Sequence, residues 1–118
     1  MAERSITIEP YGGRVRVVAV GEVIADTDRA LLLAEAGYPA VVYVPRQDAR
    51  MDRLTRSLKV TQCPHKGERS YFHLNAGGRQ IDNAVWSYEL PFARVGDIRG
   101  HLAFYPSLVD AIEQAPKS

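Results

Sequence analysis

The densest chemistry in the chain lies in the segment Thr61-Gln62-Cys63-Pro64-His65-Lys66-Gly67-Glu68-Arg69-Ser70-Tyr71. It gathers a thiol, an imidazole, an ammonium, a guanidinium and a phenol in a short stretch. Cys63 and His65 are two apart, so extended backbone sets both side chains on one face. Lys66 and Arg69 nearby favour a thiolate. The chemistry that follows is nucleophilic, with Cys63 as nucleophile and His65 or His101 as its base. Lys66 or Arg50 would then hold a substrate anion. The same residues also fit a buried cysteine at a strand end beside a solvated basic turn.

A second group is aromatic. Tyr71, Phe72, Trp86, Tyr88, Phe92, Phe104 and Tyr105 all follow residue 70. They read as the core of the C-terminal half, or as a pocket wall with Trp86 and a tyrosine stacked on a planar ligand. The expected site therefore holds Cys63, His65, Lys66, Tyr71, Trp86 and His101, with Thr61 and Tyr88 beside it. Arg46, Arg50 and Arg53 offer a third group for an anion, with Asp48 and Asp52 as competing surface partners. Cys63, His65, His73 and His101 are metal-ligand types, but no paired Cys-x-x-Cys knuckle exists. No metal or cofactor is expected. No phosphate-binding Gly-x-x-x-x-Gly-Lys-Ser/Thr loop or Gly-x-Ser-x-Gly elbow is present.

These groups belong to a chain of 118 residues, 46% hydrophobic and 25% charged, with net charge +1. That size fits one domain, residues 1–118, with its core over about 5–112 and a frayed tail at 113–118. Near-neutral charge argues against a nucleic-acid partner. Residues 46–69 nevertheless hold seven Lys or Arg against three acids, so a basic face is a weaker third reading. One cysteine excludes an intramolecular disulfide and points to a reducing compartment. The N-terminus does not look like a signal peptide, and no apolar run approaches the ~20 residues of a membrane helix. The expectation is a soluble cytoplasmic protein without membrane contact. The sequence leaves a homo-oligomer open.

The elements that position the groups are mostly short strands. Residues 5–20 suggest a hairpin turning at Tyr11-Gly12-Gly13. Asp26-Thr27-Asp28 followed by an Ala, Leu and Glu-rich run predicts one short helix over 27–36, closed by Gly37 and Pro39. Strand character follows at 40–44, 54–62, 70–74, 79–89 and 102–105. Leu108 to Ile112 reads as a final strand or short helix. The total predicts a mainly β domain, two sheets in a tent-like or sandwich-like arrangement with that one helix.

Four blocks carry a resemblance: residues 42–52, 61–67, 84–89 (Ala-Val-Trp-Ser-Tyr-Glu) and 100–106 (Gly-His-Leu-Ala-Phe-Tyr-Pro). In this order they resemble a bacterial family numbered 427 among the domains of unknown function. The resemblance runs from about Val15 to Val109. The family is sometimes labelled nucleotidyltransferase-like, but the Gly-Ser plus paired-Asp pattern of those enzymes is absent here. The resemblance implies a mainly β fold similar to the β-tent. The Cys pairs that pin zinc in other tents are missing, so the aromatic core must join the sheets. It supplies no catalytic residues. The functional expectation is a small or anionic ligand bound near Cys63, His65 and Trp86, with thiol chemistry at Cys63. The alternative is a non-catalytic domain offering a strand edge or aromatic surface to a protein partner.

Overall fold

The computed structural model describes residues 5–117. Residues 1–4, part of the segment read against a signal peptide, and Ser118 lie outside the described residues. Among the described residues ten strands run in chain order: β1 Ile6–Pro10, β2 Gly13–Ala19, β3 Glu22–Thr27, β4 Leu31–Glu35, β5 Val41–Tyr43, β6 Leu54–Cys63, β7 Gly67–Ala76, β8 Arg79–Ser87, β9 Ala103–Phe104 and β10 Ala111–Pro116. They form three antiparallel sheets, ordered β1-β4-β5, β10-β2-β3 and β6-β7-β8-β9. The remaining elements are short 3-10 turns. No helix among the described residues is long and apolar enough to cross a membrane.

Alternation explains the packing. The Arg-Val-Arg-Val start of β2 buries Val15 and Val17 and leaves Arg14 and Arg16 outside. On β7, Phe72 and Leu74 enter one core with Val15, Val17, Ile24 and Val85. Tyr71, between them in sequence, enters a second core with Leu33, Tyr43, Trp86, Tyr88 and Ile98. The four-stranded sheet is thus covered on both faces, by β2-β3 on one and by β4-β5 on the other. Just past β5, Val44 and Leu102 exchange two main-chain hydrogen bonds of 2.8 Å, which stitch two sheets together at that edge.

The mainly β fold agrees with the sequence reading; several details do not. Three sheets stand where two were expected. The helix expected near 27–36 is strand β4. Thr27 Oγ1 does accept the Arg29 N–H at 2.9 Å, as a cap would, but the bond closes a turn. Leu31 to Glu35 then pairs with β1 on one side, and its first three residues pair with β5 on the other. A run this short gains little from helix propensity, whereas two ladders satisfy its backbone and bury Leu33. The hairpin expected over 5–20 does not form, because β1 pairs with β4 while β2 pairs with β3 and β10. The tail expected to fray from 113 is β10 as far as Pro116, with Glu113 opposite Arg16 and joined to it at 2.8 Å.

Candidate functional site

β6 ends at Cys63 and β7 begins at Gly67, which face each other in the ladder. Pro64, His65 and Lys66 make the turn. Gly67 holds φ at +116°, a conformation side-chain-bearing residues avoid, and the 90–92 loop lies against it. Phe92 N–H donates to Lys66 O at 2.9 Å, which buttresses the turn.

The turn closes one end of a half-open cavity of about 550 Å³. Leu33, Val41 and Tyr43 supply apolar lining, as do Tyr38 and Pro39 of the β4–β5 connection. Cys63, His65, Lys66, Glu35 and Arg69 bring polar groups to the same space. An apolar cavity with a few convergent polar groups is the usual form of a small-molecule site.

Cys63 is half-buried. Burial pushes its thiol up, but the His65 main-chain N–H, the Lys66 ammonium, the Lys66 N–H and the Tyr88 hydroxyl outweigh burial. The net effect holds it below the ordinary thiol value. Lys66 Nζ donates to Cys63 Sγ at 3.7 Å and to Glu35 Oε1 at 2.8 Å. Lys66 is only 6% exposed. Glu35 is the last residue of β4, so the strand that replaced the expected helix is what delivers this carboxylate.

Arg69, on β7, is half-buried in the cavity wall. Its Nε and Nη2 donate to Tyr88 OH at 2.9 and 2.8 Å, and its Nη1 donates to Tyr71 OH at 3.4 Å. Its guanidinium also lies over the rings of Trp86 and Tyr88, at 5.2 and 5.4 Å. Among the described residues no carboxylate pairs with Arg69. Burial pushes the Tyr88 phenol up, so it stays protonated and can donate to sulfur. Burial likewise raises Tyr43 to about 12, despite the hydrogen bond it accepts from Trp86 Nε1 at 3.2 Å. For Tyr71 burial pushes upward, but the Thr61 hydroxyl at 3.0 Å, Arg69 and Tyr105 bring it below the ordinary phenol value.

Of the residues read from sequence, Cys63, His65 and Lys66 meet at the cavity. Tyr71, Trp86 and Tyr88 are buried; the Arg69 guanidinium lies over the Trp86 and Tyr88 rings, Lys59 lies over the Tyr71 ring, and Thr61 reaches the Tyr71 hydroxyl. His101 lies outside the cavity, in a hollow of about 190 Å³ with Arg46 and Arg99. Arg50 also lies outside it, with Nη2 at 3.0 Å from Asp52 on the surface and its main-chain N–H on Ile24 O. His73 accepts the Asn83 N–H at 3.1 Å. Among the described residues no three His, Cys, Asp or Glu side chains converge as metal ligands. Glu35, Tyr43 and the placement of Arg69 in the cavity wall were not anticipated. Arg69 sits inside the dense segment and was open to notice; Glu35 gave no local signal.

Comparison with known proteins adds one assignment. None of the curated proteins compared with the chain matches it. A family model described as "Domain of unknown function (DUF427)" matches residues 7–115, a span that contains all ten strands but the first residue of β1 and the last of β10. The chain belongs to the DUF427 family.

Proposed function

We propose that the protein binds a small anionic ligand with an apolar body in the 550 Å³ cavity, and that Cys63 faces this ligand as a thiolate nucleophile. The observation that carries the reading is Arg69. The Lys66 and Glu35 charges cancel, so among the described residues Arg69 gives the cavity wall a positive charge met by the Tyr71 and Tyr88 hydroxyls and by no carboxylate. A half-buried charge without a counter-ion is costly, and a ligand anion removes that cost. The apolar wall on the β4–β5 side suits the rest of such a ligand.

The probe is benzoate, followed by amide NMR. Saturable shifts are expected at residues 63–67, at Arg69 and along β4–β5. Arg69→Gln should weaken binding about tenfold or more, the worth of one charge-assisted hydrogen bond. Shifts that never saturate, or that Arg69→Gln leaves unchanged, would remove anion docking at Arg69.

The second reading, a protein partner adding a strand, has its own observation: among the described residues β6 is a sheet edge with no strand on its outer side, and Leu58 on it is fully exposed. That edge is interrupted, because the register breaks between Arg56 and Val60, and Arg56 and Lys59 flank Leu58. Bulges and basic residues are devices that blunt an edge, which favours the cavity. Leu58→Lys separates the two readings: benzoate binding is expected to be untouched, whereas a strand-addition partner would be lost.

A further inference from the structure

Resting on the reading of the cavity as a ligand site with a reactive thiol, we propose that Cys63, Lys66 and Glu35 form a unit for hydrolysing an activated acyl compound. Cys63 is the nucleophile, Lys66 the proton carrier and Glu35 the positioning residue for Lys66. The contacts run in series, from Sγ to Nζ at 3.7 Å and from Nζ to Oε1 at 2.8 Å. The three residues come from the end of β6, the following turn and the end of β4, and all three line the cavity. A nucleophile beside a base that a third group orients is the general arrangement for covalent catalysis. The Lys66 and Glu35 side chains are only 8% and 10% exposed. A buried ion pair is rarely better for stability than a hydrophobic pair, so its placement against a thiol calls for a chemical account.

Redox cycling fits less well. Cys63 is the single cysteine of the chain, so no second thiol can resolve an oxidised sulfur within it. Acyl transfer needs no oxidant. The thiolate attacks the carbonyl carbon of R–CO–X, forming an S–C bond; the C–X bond breaks and X departs with a proton from Lys66 Nζ. Water then gives a proton to the Lys66 amine and attacks the thioester. The S–C bond breaks, returning the thiolate and the ammonium. The sum is R–CO–X plus water giving R–COOH plus H–X. Arg69 and His65 are the remaining cavity donors for the charge that develops on the carbonyl oxygen.

The probe is p-nitrophenyl acetate with the full chain. A burst of one p-nitrophenolate per chain is expected, with one acetyl group on Cys63 by mass spectrometry and slower turnover afterwards. Cys63→Ser should abolish both. Lys66→Arg keeps a cation against Glu35 and sulfur but holds its proton at neutral pH. It should still acylate, because p-nitrophenolate departs as the anion and needs no proton, and then stall as acetyl-enzyme, with deacylation slowed about 10²-fold or more. Glu35→Gln should move the midpoint of the acylation pH profile, which a purely structural role would not do. Rapid alkylation of Cys63 below the free-thiol range, without acetyl-enzyme or turnover above Cys63→Ser, would overturn acyl transfer and leave the thiol site standing. Lys66→Arg turning over like wild type would also overturn it. A thiol that alkylates only as a free thiol would remove both readings.

Discussion

At the scale of single residues, the site depends on how three charges and one sulfur share a half-closed space. Lys66 cannot be removed cheaply, because it is only 6% exposed and its ammonium donates to Glu35 Oε1 at 2.8 Å. Lys66→Met should destabilise the fold by about 3–5 kcal/mol in urea titration, and Lys66→Met/Glu35→Leu should recover most of that. Cys63, His65 and Lys66 were legible in the sequence because one turn holds them, and a turn is a local property. Glu35 was not legible. It reaches Lys66 only through strand pairing, and its own neighbours suggested a helix that would have pointed it elsewhere. The roles of Trp86 and Tyr88 were half legible: both sit at the site, but Arg69 occupies the ring faces where a planar ligand was expected.

At the scale of elements, pairing decides what local propensity leaves open. Residues 31–35 have helix-forming composition, yet ladders on both sides made them a strand. The turns that set these ladders are specific. Val20-Gly21 closes β2–β3 with φ of +47° and +74°, and its Val20 side chain packs into the space that Gly77 leaves free. Gly77 itself has φ of +58°, and its N–H donates to Glu22 Oε2 at 2.6 Å. Gly77→Ala should therefore cost about 1–3 kcal/mol, through both backbone strain and collision with Val20, measurable by thermal unfolding. A second tie is Asp48, which accepts from Arg29 through both oxygens and from Thr27 Oγ1 at 2.7 Å. The Arg29 and Thr27 hydrogen bonds hold its carboxyl below the ordinary value. Its stabilisation is thus complete above the unfolded-state value of about 3.9 and is lost as pH falls through the lower folded one. Asp48→Asn should be less stable than wild type at pH 6, and the difference should shrink in acid.

At the scale of the whole molecule, two cores share the four-stranded sheet, and the cavity lies where the β4–β5 side meets the β6–β7 turn. The mainly β class was legible from turn signals and alternation. The number of sheets was not, because partner choice between distant strands leaves no local mark; β2 pairs with β10 across nearly the whole chain. Truncation after Asp110 would expose the β2 backbone along that ladder. It should abolish cooperative unfolding, read as loss of a sharp thermal transition, whereas a dispensable tail would leave the transition unchanged.

The central claim, a thiolate poised in a ligand cavity, is tested most directly by the alkylation rate of Cys63 against pH. The predicted midpoint lies below the free-thiol value of ~8.5. It should rise in Lys66→Gln, which removes the ammonium. It should stay in place in His65→Ala, because His65 acts on the sulfur through its main-chain N–H. A midpoint at the free-thiol value, or alkylation only once the protein unfolds, would contradict the account.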